Sequence, residues 1–210
     1  MIRVFIVDDH AVVRQGLRRI LEEESDIRVI GEASNGSDAM KQISKLRWDV
    51  MLLDISMPEK GGAETLKLVL EEHNNAKILI LSMYEESQYA VRLMKAGASG
   101  YLTKDAAPEQ LVKAIRNAVK GEKYISHSLA ELLLKECSGD SSKPLHATLS
   151  CREFEVLKMI GRGKKVSQIA TMLSLSVKTV STYRSHILLK MKLQNNAELA
   201  NYVIQNNLNL

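Results

Sequence analysis

Short apolar runs recur through the first part of the chain, at residues 2–7, 29–33, 50–53, 78–81 and, more weakly, 100–102. Stretches with helical spacing lie between them, at 11–24, 37–46, 62–73, 86–96 and 108–120. In the third of these, Leu66, Val69 and Leu70 repeat on one helical face. Each run is apolar at consecutive positions, so both faces of the strand it forms must be covered. Strands of that kind alternating with helices specify a parallel sheet with helices on both sides. The expected fold is a doubly wound five-stranded parallel α/β domain. In such sheets ligands bind beyond the carboxyl ends of the strands. The residues at those ends are therefore the ones to read for chemistry.

The first run ends on Asp8 and Asp9, followed by His10. The third ends on Asp54, within DVMLLDISMP. Ser82 and Met83 follow the fourth, and Thr103 and Lys104 the fifth. Two unit charges about 4 Å apart repel by roughly 4 kcal/mol at an effective dielectric near 20. A positive partner is required where Asp8 and Asp9 meet. Helix capping accounts for Asp9 alone. It does not account for two adjacent acids, a third at a neighbouring strand end and a lysine opposite. Hard carboxylate oxygens in small number suit Mg²⁺. A carboxylate beside such a cation is a nucleophile toward phosphorus. Asp54 is central, with the metal on one side and Lys104 on the other, and Ser82 is placed to hydrogen-bond a phosphoryl oxygen. Phosphoryl transfer asks for little beyond in-line placement and charge neutralisation.

Composition divides the chain. Residues 1–125 hold 18 Lys and Arg against 19 Asp and Glu, whereas residues 126–210 hold 11 against 6. From residue 158 to residue 192 there are eight basic residues and no acidic one. A near-neutral part and a basic part point to two domains with different partners, the second anionic. No apolar run is long enough to span a bilayer, and the start lacks the layout of a signal peptide, so the expected location is cytoplasmic. Cys137 and Cys151 suggest neither a disulfide framework nor a metal site. Residues 123–147 read as a linker holding a short helix at 129–136, with the polar SGDSSKP segment at 138–144 as its most open part.

The remaining residues, 148–210, are helical in pattern, with helices at 151–161, 166–173, 177–191 and 196–206. Ser150 followed by Glu153 forms a capping box, and Asn195 or Asn196 caps the last helix. The second and third helices are joined by the short SLS turn, a helix-turn-helix pattern. In VKTVSTYRSHILLKMKL, Val180, Ile187, Leu188 and Met191 form a packing stripe, and the polar residues lie off it. Short polar groups near a helix N-terminus reach base edges, while lysines meet phosphates. Lys164 and Lys165, ahead of the second helix, are placed for the nucleic-acid backbone.

The motifs VDDH, DISMP with Gly62 four residues past Pro58, Ser82 and YLTKD resemble, in order and spacing, the receiver domain of two-component response regulators, over residues 1–122. The resemblance implies that Asp54 accepts a phosphoryl group. It implies that Asp9, Asp54 and the backbone carbonyl of Ser56 ligate Mg²⁺, with Asp8 acting through water. Lys104 then neutralises the phosphate, and Ser82 and Tyr101 form the switch pair. Asp105 stands where many receivers have proline, and His10 is typical of the same subclass. A phosphoryl-aspartate scheme needs no histidine base.

LSCREFEVLKMI, the GRGKKVSQIA block, LSLSVKTVSTYRSHILLKM and NNAELANY resemble the LuxR-type output domain. Together the two domains resemble the NarL/FixJ-like class. By position, Ser181, Thr182 and Ser185 face bases, and Lys178, Thr179, Arg184 and Lys190 are mainly backbone contacts. Val166 stands where asparagine is common, which removes one polar contact. The last helix pairs with its mate in a dimer. The class implies a sensor histidine kinase or phosphotransfer protein, double-stranded promoter DNA, a homodimer when phosphorylated and RNA polymerase as partners, with no membrane. The expected protein is a phosphorylation-dependent transcription regulator and not a turnover enzyme. A dinucleotide enzyme needs a glycine-rich turn where DDH stands. An aspartyl phosphatase has a second acid two residues past its nucleophile, where Ser56 stands. A basic domain that binds protein is the other rival, and salt-dependent binding to duplex DNA separates the two.

Overall fold

The computed structural model describes residues 1–57, 61–137 and 144–208. Pro58 of the DISMP motif and most of the SGDSSKP segment fall outside the described residues. The chain divides into two compact units, Met1–Cys137 and Ser138–Leu210.

The first unit alternates strand and helix: β1 (Ile2–Val7), α1 (Ala11–Glu22), β2 (Ile27–Ala33), α2 (Gly36–Ile43), β3 (Val50–Asp54), α3 (Gly62–Glu72), β4 (Ile78–Ser82), α4 (Glu86–Lys95), β5 (Gly100–Thr103) and α5 (Pro108–Val119). All five strands are parallel, in the order β2-β1-β3-β4-β5. Every residue of β3 and β4 is buried. One sheet face, with Val4, Ile6, Val50, Leu52, Leu79, Leu81 and Leu102, packs on Leu17 and Leu21 of α1 and on Leu111 and Ile115 of α5. Phe5, Met51, Leu53 and Ile80 point the other way and are equally buried. Two-sided burial is why the runs are continuous rather than alternating.

Helix ends fall one to three residues short of the sequence expectation in α1, α2 and α3. In α2 the helix stops at Ile43, where the expectation ran to 46. Strands β3, β4 and β5 each extend one residue further than their apolar runs and take in Asp54, Ser82 and Thr103. The polar strand-end residues are thus fixed by the sheet ladder itself. At Gly62 the first turn of α3 comes so close that a Cβ would lie 2.1 Å from the Asp54 carbonyl oxygen. Only glycine fits there.

A further helix, α6 (His127–Cys137), lies where the linker was expected. It packs on α4. Tyr124 bridges to Gly100 at the edge of β5. The Ser126 and Ser128 hydroxyls both donate to the Glu86 carboxylate at the start of α4. These bonds and the α4 packing make α6 part of the first unit.

The second unit has a 3₁₀ turn (Leu145–Thr148) and four helices: α7 (Cys151–Gly161), α8 (Val166–Met172), α9 (Val177–Met191) and α10 (Asn196–Gln205). The capping box is formed: Ser150 Oγ accepts from Glu153 N at 3.3 Å, and Glu153 Oε2 accepts from Ser150 N at 2.8 Å. Asn195, rather than Asn196, caps α10, accepting from Glu198 N at 3.0 Å. Phe154, Leu157, Ile169, Val180, Ile187, Met191, Leu199 and Val203 form the buried centre. The α8–α9 turn is closed by Ser174 in the left-handed region, φ 53°.

Candidate functional site

The carboxyl ends of β1, β3, β4 and β5 bring one constellation together. Asp8 and Asp54 are each 1% exposed. The Lys104 ammonium sits between them, 2.7 Å from Asp8 Oδ2 and 2.7 Å from Asp54 Oδ2. Their other oxygens accept backbone N–H groups, Asp8 Oδ1 from His10 at 2.8 Å and Asp54 Oδ1 from Ser56 at 3.0 Å. Asp9 is partly exposed, and its Oδ1 lies 2.8 Å from His10 Nδ1. Asp8, Asp9, His10 and Asp54 offer ligand atoms that all lie within 4.8 Å of one another. Burial pushes the Asp54 carboxyl up; the Lys104 ammonium and the Ser56 N–H oppose it without cancelling it, and the Asp8 charge adds to it. Burial lowers the Lys104 ammonium, but the two carboxylates outweigh it and hold its pKa above the usual value. One cation is thus shared by two acids, and the pocket retains an excess of negative charge.

Ser82 and Tyr101 are fully buried. Both bond to Tyr84, in the loop after β4. Ser82 Oγ accepts from Tyr84 N at 3.0 Å, and Tyr101 OH donates to Tyr84 O at 2.7 Å. The sequence paired Ser82 with Tyr101 but gave no sign that the backbone of Tyr84 joins them. Lys104 N donates to Ser82 O at 2.8 Å, which ties the lysine to the hydroxyl strand. Arg14, one turn into α1, donates to the Asp8 carbonyl at 2.7 Å and pairs with Glu32. It braces β1 from behind, a role that the sequence reading missed although Arg14 lies four residues past His10.

In the second unit, Lys178, Ser181, Thr182 and Ser185 are exposed along α9, and Thr179 and Arg184 are half-buried. Thr182 and Ser185 donate back to the carbonyls of Lys178 and Ser181, which leaves their oxygens facing out as acceptors. Thr179 is engaged at the N-cap with Ser176. Arg184 Nε donates to Asn196 Oδ1 at 2.5 Å. Lys164 and Lys165 are exposed ahead of α8.

Two members of the basic stretch differ from a plain solvated face. Lys190 Nζ lies 2.7 Å from Oε2 of Glu153, which is 3% exposed. Its acid stands only five residues ahead of the acid-free window. Lys158 is turned inward, 4% exposed, and burial together with Arg162 pushes its pKa down to about 8. Of the other six, Arg184 is half-buried against Asn196, and Arg162, Lys164, Lys165, Lys178 and Lys192 are exposed, the first three ahead of α8 and the last two at opposite ends of α9.

Residues 4–116 match the response regulator receiver domain, and residues 147–203 match the bacterial regulatory proteins of the luxR family. The chain belongs to the response regulators, with a receiver domain followed by a LuxR-family DNA-binding domain. Response regulator UvrY of Escherichia coli (strain K12) is 40% identical over 209 residues, covering 99% of this chain and 96% of that protein. Response regulator GacA of Pseudomonas aeruginosa is 39% identical over 201 residues, covering 95% and 94%. Among solved structures, RcsB from Salmonella enterica serovar Typhimurium, bound to promoter P1flhDC in the presence of phosphomimetic BeF₃⁻, is similar with a TM-score of 0.70. Its identity is 29%, over 96% of this chain and 98% of that one. The chain is a phosphorylation-dependent transcription regulator by membership of this class, and no helix among the described residues is long and apolar enough to cross a membrane.

Proposed function

We propose that Asp54 is the phosphoryl acceptor of this chain and that its phosphorylation governs promoter binding by the second unit. The observation that supports this is the Lys104 ammonium held 2.7 Å from both Asp8 and Asp54, at the carboxyl ends of the strands. An Asp54 carboxylate oxygen attacks the phosphorus of a phosphohistidine on a sensor kinase or phosphotransfer protein. The P–N bond breaks as the P–O bond forms, and the histidine leaves. Burial raises the Asp54 carboxyl, but the neighbouring ammonium keeps the ionised, nucleophilic form available at neutral pH.

Asp8, Asp9, Asp54 and the Ser56 carbonyl form the oxygen set that holds Mg²⁺, and the negative excess of the pocket fits a divalent cation. Magnesium, when bound, supplies positive charge against the phosphoryl oxygens. Lys104 supplies a second cation there. Ser82 leaves Tyr84 N to donate to the new phosphoryl group, which frees the loop that Tyr101 also holds. This shifts a pre-existing equilibrium toward a state that dimerises and binds DNA. Ser181, Thr182 and Ser185 read base edges. Lys164, Lys165 and Lys178 contact the backbone, with Thr179, Arg184 and Lys190 supporting the same face. The protein works in the cytoplasm, as a homodimer on double-stranded promoter DNA in contact with RNA polymerase, and does not turn over a substrate.

The test is intact mass after incubation with a small phosphodonor, for the wild type and Asp54→Ala, with and without Mg²⁺. The expected result is a gain of one phosphoryl group that requires both Asp54 and Mg²⁺. No gain, or a gain that survives Asp54→Ala, overturns the assignment.

A further inference from the structure

His10 has no part in the chemistry above, yet its ring is aimed at the acids. It occupies the N-cap of α1, where Ser, Thr, Asp and Asn serve by accepting a helix N–H. His10 makes no side-chain cap bond. The ring turns back instead, placing Nδ1 2.8 Å from Asp9 Oδ1 and 3.3 Å from Asp8 Oδ1. The backbone beneath the ring is tied to the same acid, because His10 N donates to Asp8 Oδ1 at 2.8 Å. The outer part of the ring is open, with 62% of the side chain exposed, so a hydrated ion has a route in.

The ring nitrogen stands from two carboxylate oxygens at about the spacing of neighbouring ligands on one ion, while the full set, spread over as much as 4.8 Å, must close slightly to share it. Neighbouring ligands on an octahedral ion with bonds of about 2.1 Å stand about 3.0 Å apart, and opposite ones about 4.2 Å. The imidazole nitrogen lies 2.8 and 3.3 Å from two carboxylate oxygens, and the four side chains offer atoms within 4.8 Å of one another. Three carboxylates alone make a hard oxygen site. Adding an imidazole raises affinity for later first-row divalent ions far more than for Mg²⁺.

We propose that His10 is a fourth protein ligand at this rim and gives the receiver a binding mode for transition-metal ions of the Mn²⁺ to Zn²⁺ type. The proposal rests on the reading of Asp8, Asp9 and Asp54 as a cation site. Cation selection at the acceptor pocket then depends on a residue outside the carboxylate set. The alternative occupant of Nδ1 is the Asp9 carboxylate alone, as a hydrogen-bond donor's partner.

The experiment uses the full chain, with His10→Gln and His10→Ala variants. Mn²⁺ binding is followed by electron paramagnetic resonance, with pulsed measurements for a directly bonded nitrogen, and Zn²⁺ and Mg²⁺ are measured by competition against Mn²⁺. The expected result is nitrogen coupling in the wild type that vanishes in both variants. Zn²⁺ affinity falls by about tenfold or more while Mg²⁺ affinity changes by less than about twofold. Mn²⁺ bound without nitrogen coupling, or a Zn²⁺ to Mg²⁺ ratio unchanged by both variants, overturns the role of His10 and leaves the cation site standing. Failure of the wild type to bind any of the three ions overturns the cation site as well.

Discussion

Removing the charge of Lys104 tests how the acidic pocket is held in the absence of a divalent ion. The ammonium lies 2.7 Å from each of two carboxylates, with side-chain exposures of 8% for Lys104, 1% for Asp8 and 0% for Asp54. At an effective dielectric of 20, each contact is worth about 6 kcal/mol of gross attraction. The two acid oxygens are at most twice 2.7 Å apart, so they repel by at least about 3 kcal/mol once the cation is gone. Desolvation of the lysine offsets much of the gross attraction. Breaking a buried ion set by deleting one partner costs about 3–5 kcal/mol. Lys104→Met is therefore expected to lose that much at pH 8 without Mg²⁺.

The pH dependence has a definite sign. Asp54 already has a folded-state pKa above its ordinary value, so its ionisation costs native-state stability as pH rises through the folded value. Without Lys104 that value moves further up. Lowering the pH protonates Asp54 and recovers part of the loss, and millimolar Mg²⁺ at pH 8 does the same. Urea unfolding followed by fluorescence of Trp48 is a direct assay, because Trp48 is the single tryptophan and lies in the first unit. With a slope of about 2 kcal/mol per molar urea, the midpoint falls by about 2 M at pH 8. A variant as stable as the wild type at pH 8, or a deficit unchanged by pH and by Mg²⁺, would refute the shared-cation account.

Three other outcomes are expected. Tyr101→Phe removes the 2.7 Å bond to the Tyr84 carbonyl and lowers the urea stability of the first unit by about 1 kcal/mol, and a change below experimental error counts against that bond. Lys164→Ala with Lys165→Ala weakens binding to all duplex sequences alike and reduces the salt slope of binding by about 2, whereas Ser181→Ala alters the preferred sequence; titrations at several salt concentrations separate the two. Glu153 is held below its ordinary 4.5: burial raises it, but Lys190 and the Ser150 bonds outweigh that. Its contribution is fully present above pH 4.5 and is lost as pH falls through the folded value, so thermal unfolding of the second unit in Glu153→Gln should lose this acid-side dependence.

The sheet and its rim were legible because two-sided burial leaves a continuous apolar signature and the first polar residue marks the strand end. Asp54, Ser82 and Thr103 proved to be inside the strands, because backbone pairing continues past the last apolar side chain. The helix-turn-helix unit was legible through Ser150, Glu153 and Asn195, whose caps act within three residues. Pairings across long separations were not. Glu153 with Lys190 and Glu86 with Ser126 and Ser128 join elements that only the folded chain brings together. The inward turn of Lys158 was hidden differently: it stands among Val156, Leu157, Met159 and Ile160, but its charge placed it with the outward basic residues. His10 was visible as a letter beside two acids, but the turn of its ring toward them is seen only in the folded chain.

The close approach of Gly62 to the Asp54 carbonyl also sets a spacing. On that side the end of β3 abuts bare backbone, with no side chain to yield. On the other side β3 pairs with β4, whose last residue, Ser82, carries a buried hydroxyl. A side chain at position 62 would have to push the first turn of α3 away from Asp54. The smallest residue near the site thus fixes how closely a helix can stand to the buried carboxylate.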